Sequence, residues 1–97
     1  MKHLEFSWDS EKDRTNKRKH GISFAEAQTV FYDENARLID DPDHSENEDR
    51  FILLGMSSNL RMIVVCHCYR AKDSVIRIIS ARKAGKKEIK EYEGHLL

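Results

Sequence analysis

Arg77 stands in the middle of the stretch VIRIISARKAGKKEIKEY (75–92), among β-branched residues that by themselves specify a buried strand. A guanidinium there has to be paired or open to a groove, because burying an unpaired charge is prohibitively expensive. Two chemistries satisfy that condition. Arg77 pairs with a carboxylate of the acidic middle of the chain, or it lines a groove and grips a phosphate through its planar fork. Regular alternation sends Val75, Arg77, Ile79 and Ala81 one way and Ile76, Ile78, Ser80 and Arg82 the other. Both faces are largely apolar, so the strand is expected to be central, with Arg77 and Arg82 on opposite faces. Either the strand end twists to bring Arg82 round, or only one of the two arginines touches the ligand.

Other residues could move protons. His44 lies among six acidic residues in DDPDHSENEDR (40–50), where His44, Glu48 and Arg50 are candidates for acid–base work or positioning. A cation site from Asp41, Asp43, His44 and Glu46 matches no EF-hand spacing and lacks the glycine such a loop needs. His67 shares a strand face with Ile63, Val65 and Tyr69, the setting of a core histidine more often than a catalyst. Cys66 and Cys68 share the opposite face and are read as reduced structural thiols, since C-x-C is the wrong spacing for a zinc knuckle or a thioredoxin-type site. No metal and no cofactor is expected.

The chain has no nucleophile elbow, no glycine-rich phosphate loop and no H-E-x-x-H motif. That disfavours most hydrolase and nucleotide-enzyme classes. What fits is a chemistry that needs only positioned charge and proton transfer. RNA cleavage by the substrate's own 2′-hydroxyl is such a reaction: RNA supplies the nucleophile, and the protein supplies a base, an acid and cations for the phosphorane-like transition state.

The elements that must position these groups can be read from the same residues. Ninety-seven residues with 39% apolar content make one domain, 1–97, with one modest core. The net charge is zero but unevenly spread. Residues 1–20 carry +2, 21–60 carry −7 and 61–97 carry +5, enough to build a basic face for an anionic partner or simply solvated charged faces. A short strand at 6–8 precedes a helix capped by Asp9 or Ser10, with Asp13 in capping-box spacing. That helix has no large apolar side chain, ends at Gly21, and carries Lys17, Arg18, Lys19 and His20 in its last turn. A second helix is better specified: Ser23 and Glu26 form a capping box, Ile22 and Ala27 a staple, and Phe24, Ala27, Val30 and Phe31 one apolar face. Strands are expected at 37–40, 51–56, 62–69 and 75–81, and a last helix from about Lys86 with Ile89, Tyr92 and Leu96 as a thin apolar stripe. The order is β-α-α-β-β-β-β-α, an α+β fold: an antiparallel sheet packed with two N-terminal helices and one C-terminal helix, the helices against one face. No stretch approaches the roughly 20 apolar residues of a membrane span. The start MKHLEFSW lacks the apolar run of a signal peptide, so a cytoplasmic location is expected.

FSWDSEKDRTNKRKHGISFAEA, DDPDHSENEDRFILLGMSS and VIRIISARKAGKKEIKEYE, in that order, resemble the BrnT family, and the resemblance covers nearly the whole chain. Its K-H-G falls on Lys19 to Gly21, its D-P-D-H-S on Asp41 to Ser45, its E-x-R-F on Glu48 to Phe51 and its R-I-I-S-A-R on Arg77 to Arg82. Gly85 departs from the family, where Thr is common; glycine still serves as an N-cap. The resemblance implies a RelE-like fold and a toxin of a type II toxin–antitoxin system that cleaves RNA without metal and inhibits translation. It further implies a BrnA-type ribbon-helix-helix antitoxin, a heterotetramer built on an antitoxin dimer, and contact with operator DNA only through that antitoxin. By analogy with RelE-like toxins, Arg77 and Arg82 would hold the scissile phosphate and Lys19 would add a cation. His20, His44 or Glu48 would move protons, and Tyr92 would act from the last helix. Two rivals use the same residues differently: a non-catalytic corepressor module that binds only nucleic acid or antitoxin, and a metal- or redox-responsive domain built on His44 or Cys66 and Cys68.

Overall fold

In the computed structural model, residues 4–40, 50–72 and 74–96 are described. β1 (Glu5–Ser7) leads into α1 (Ser10–His20) and α2 (Phe24–Thr29), which ends in a single 3₁₀ turn at Val30–Tyr32. Then come β2 (Arg37–Ile39), β3 (Phe51–Met56), β4 (Met62–Arg70), β5 (Val75–Lys83) and α3 (Lys86–His95). The strands form one sheet in the order β1-β5-β4-β3-β2.

β2 to β5 are joined antiparallel, whereas β1 pairs parallel to β5, with Ser7 beside Arg77. The sheet is therefore mixed. A β1-to-β5 pairing is non-local, so no turn signal announces it. β5 becomes an inner strand between β1 and β4, with Ile76, Ile78 and Ala81 buried on one of its faces.

The helices cover both faces rather than one. Ile22, Phe24, Ala27 and Val30 from the α2 side pack on Leu53, Ile63, Val65, Ile78 and Ala81. On the other face Tyr92 of α3 packs on Ile52, Leu54 and Val64. Consecutive strand residues alternate between faces, so a sheet apolar on both sides needs a cover on each.

α1 is held differently. Asn16 is its one buried residue. Its amide accepts from the Ala81 N–H (3.1 Å) and donates to the Ala81 carbonyl (2.9 Å) and the Ile22 carbonyl (2.9 Å). Asn16 thus pairs with β5 as a neighbouring strand would, just beyond the point where β1 stops. Asp13 does not close a capping box. Its carboxylate accepts the N–H of Phe24 at 2.8 Å and ties α1 to α2, while Asp9 caps α1 through the N–H groups of Glu11 and Lys12. Gly21 ends the helix at φ 72°, where a side chain would be strained.

Ser23 caps α2, but Glu26 turns inward instead of completing the box. It takes a 2.7 Å hydrogen bond from Ser57 and pairs with Arg61, whose Nε lies 2.9 Å away. The Arg61 bonds hold this buried carboxyl below the usual carboxylate range. Arg61 also donates to the Gly21 carbonyl at 2.9 Å, so one arginine of the β3–β4 turn locks α1, α2 and the sheet together.

Candidate active site

The pairing of β4 with β5 decides where the arginines point. Cys66 lies opposite Ser80, but the next residue, His67, lies opposite Ile78. Ile79 is the extra residue of a β-bulge, and the alternation of β5 changes phase there. Arg77 (opposite Cys68) and Arg82 (opposite Val64) consequently leave the same face of the sheet, together with Ser80. The expectation of opposite faces is overturned. A bulge adds one residue to one strand, and the side-chain period of two turns that single residue into a change of side.

The two arginines have different surroundings. Arg82 is engaged by Glu88 of α3 in a bidentate pair, Nη1–Oε1 and Nη2–Oε2 both at 2.8 Å. Arg82 is the chief cause of the lowered pKa of Glu88, whose Oε1 also accepts the Gly85 N–H at 2.9 Å and so caps α3. Arg77 is half-buried; its Nη1 lies 3.5 Å from Ser7 Oγ. Among the described residues no carboxylate reaches ion-pair distance of Arg77. The nearby carboxylate of Asp9 feels the charges of Lys12 and Arg77, yet its depressed pKa comes chiefly from the N–H groups it caps. A guanidinium has five donors in a fixed fork. Those of Arg77 are largely unspent among the described residues, on the face of β5 that also carries Ser80 and Arg82, and could hold an anion.

Lys19 and His20 come to the outer edge of the same strand. With Lys12, Thr15 and Asn16 of α1 they line an open groove of about 320 Å³ whose other wall is Ile79 and Ser80, at the bulge. Sequence motifs flagged Lys19 and His20 but neither Asn16 nor Lys12. The only signal for Asn16 was indirect: a helix without an apolar face has to be held by something polar.

Tyr92 is buried at 4% exposure and donates its hydroxyl to Asp33 at 2.8 Å. Burial first, and Asp33 second, push its pKa up to about 12. Asp33 also accepts the Met56 N–H at 2.8 Å, so this pair seats α3 on the sheet. Tyr92 lies over Leu54 and Val64, level with Arg82 and four ladder positions from Arg77.

His44 and Glu48 lie outside the described residues, as do the other members of the Asp41 to Asp49 stretch. Arg50 is half-buried at the start of β3. His67 is fully buried among Phe31, Phe51 and Tyr69, with the Phe31 ring centroid at 4.8 Å and edge-on. Burial lowers its pKa, and among the described residues its Nε2 has no hydrogen-bond partner. Cys66 and Cys68 are unbridged and half-buried. Among the described residues no three His, Cys, Asp or Glu side chains are grouped as a metal site. No described helix is long and apolar enough to cross a membrane.

Against known proteins, a family described as "Ribonuclease toxin, BrnT, of type II toxin-antitoxin system" matches residues 8–88. The crystal structure of the Brucella abortus ribonuclease toxin BrnT superposes with a TM-score of 0.66 at 24% identity, covering 87% of this chain and all of that one. At that identity the likeness speaks for the fold. No curated protein matches.

Proposed function

The chain belongs to the BrnT family of ribonuclease toxins of type II toxin–antitoxin systems, and from that membership we propose that it is a metal-independent endoribonuclease centred on Arg77. The family implies an antitoxin partner. The observation that carries the assignment of the site is the guanidinium of Arg77, half-buried, on the arginine-bearing face of β5, without a carboxylate partner among the described residues.

In this reading Arg77 grips the scissile phosphate through its fork and stabilises the charge that builds on the equatorial oxygens. Lys19 adds a cation from the groove edge. The 2′-oxygen of the substrate attacks phosphorus as its proton passes to a base, and the bond from phosphorus to the 5′-oxygen breaks as that oxygen takes a proton from an acid. The products are a 2′,3′-cyclic phosphate and a 5′-hydroxyl end. His20, His44 or Glu48 moves these protons. Arg82 contributes charge from the same face while its pair with Glu88 holds α3, and Tyr92 supports that arrangement by seating the helix on Asp33. Cleavage of cytoplasmic RNA stops translation. A BrnA-type ribbon-helix-helix antitoxin dimer neutralises two copies in a heterotetramer, and operator DNA is touched only through it.

Incubation of the purified chain with RNA and excess chelator tests this. Fragments with cyclic-phosphate and 5′-hydroxyl ends are expected, and Arg77→Ala should lose at least about 100-fold in kcat/KM, roughly the worth of one transition-state charge contact. An inert wild-type chain, or one that cuts only with added metal, would overturn the proposal. Binding without cleavage, altered by Arg77→Ala, would identify a corepressor module instead.

A further inference from the structure

We propose that the groove between α1 and the β5 bulge is a track for single-stranded RNA, in which Lys12 and Lys19 hold successive phosphates on one side of the one gripped by Arg77. The inference rests on the ribonuclease reading above and adds Lys12 and a direction to it.

The groove has two walls of different character. Ile79 and Ser80 form the sheet side, and one face of α1 forms the other. Much of the polar lining is already spent. The Asn16 amide is consumed by Ala81 and Ile22, and the carboxylate of Glu11, also at the rim, is paired with Arg14 on the same helix. What is left to meet a ligand is the ammonium groups of Lys12 and Lys19, with the Thr15 and Ser80 hydroxyls between them and His20 at one end. Both lysines are exposed, and among the described residues neither has a carboxylate within ion-pair distance. The net character is cationic, with hydroxyl donors, and suits a phosphodiester.

Helix geometry sets the direction. Lys12 and Lys19 are seven residues apart, two turns along one face, so they are spaced roughly 10 Å along the axis. That spacing suits successive contacts along a strand better than one chelated ion. Arg77 lies beyond the Lys12 end, since it stands beside Ser7 of β1, two residues before the Asp9 cap of α1, whereas Asn16, further along the helix, reaches Ala81. The three cations therefore run in the order Arg77, Lys12, Lys19 beside β5. A volume of about 320 Å³ is at the lower end of ligand pockets, about 300–1,000 Å³. A groove of that size suits the backbone of one strand.

The test is the salt dependence of binding, measured by fluorescence anisotropy with the full chain and a short 2′-O-methyl RNA that cannot be cleaved. Each phosphate contact on a single strand contributes a slope of about −0.7 in log K against log salt. Lys12→Gln should make the slope shallower by about 0.7 and Lys12→Gln/Lys19→Gln by about 1.4. Lys90→Gln on α3 should leave it unchanged, and a duplex of the same sequence should bind more weakly. An unchanged slope in the double variant, no binding by the wild type, or tighter binding of the duplex would overturn the track. The two readings fail separately. A chain that cuts RNA but shows no slope change loses only the track. One that never cuts RNA but shows the slope change loses the ribonuclease reading and keeps a nucleic-acid groove.

Discussion

The side-chain amide of Asn16 and the backbone of Ala81 bond to each other in both directions, N–H to Oδ1 at 3.1 Å and Nδ2 to carbonyl at 2.9 Å. This is a strand-like pairing made by one side chain, and it positions α1 beside the bulge. Without it, a buried N–H and carbonyl of β5 lose their partners, at about 1–3 kcal/mol for an unsatisfied buried group. Asn16→Ala should therefore destabilise the chain by about 2–3 kcal/mol, a fall in Tm on the order of 10–20 °C for a domain of this size. Thermal unfolding followed by circular dichroism measures it. A shift of a degree or two would mean that α1 is held by something else.

Tyr92 and Asp33 make a pH-dependent fastening. The folded-state pKa of Tyr92 is raised to about 12, above the ordinary value near 10, so the fold prefers the neutral phenol. Its contribution is fully present below pH 10 and is lost as the pH climbs toward 12. Tyr92→Phe removes one hydrogen bond, costing about 1 kcal/mol at neutral pH, and should flatten the alkaline loss of stability between those values. Urea denaturation at pH 8 to 11 distinguishes the two chains. An equally steep alkaline slope in the variant would rule out this origin.

His67 works in the opposite direction. Burial lowers its pKa, so the neutral ring among Phe31, Phe51 and Tyr69 belongs to the native state. Its contribution is complete above the unfolded value near 6.5 and declines as the pH falls through it, by no more than about 1.4 kcal/mol per pH unit. Asp9, Glu26, Asp33 and Glu88 all have lowered pKa values and lose their contributions at lower pH, below the usual carboxylate range. His67→Phe should abolish the slope between pH 7 and 5 while leaving the steeper acid limb. Denaturation curves across that window show it, and a slope kept by the variant would assign the effect elsewhere.

Leu60 carries a local strain. It closes the β3–β4 turn at φ 60° with 82% of its surface exposed. A left-handed conformation costs a β-carbon residue about 1–2 kcal/mol, part of which glycine gives back by being more flexible when unfolded. Leu60→Gly is expected to stabilise the chain by about 0.5–1 kcal/mol, read as a higher urea midpoint. Destabilisation would show that the exposed side chain packs usefully.

Much of the frame was legible in the residues because its causes are local. The Ser23 cap, the Ile22–Ala27 staple and the 24-27-30 spacing place α2 without reference to any other element, and both staple residues are fully buried. Gly21 stops α1 where its φ of 72° requires a glycine, and β3 runs from Phe51 to Met56 as its apolar run predicts. Arg77 was conspicuous as a charge in an apolar strand. The tertiary structure alone decided the rest. Whether Arg82 shares a face with Arg77 depends on where β5 takes on an extra residue against β4, and no property of β5 by itself reports a bulge at Ile79. The parallel place of β1 beside β5 and the seat of Tyr92 on Asp33 join residues 70 and 59 positions apart. Sequence periodicity records which side chains prefer to be buried together, but pairing register and the partners of polar groups are settled only when distant backbone is brought into contact.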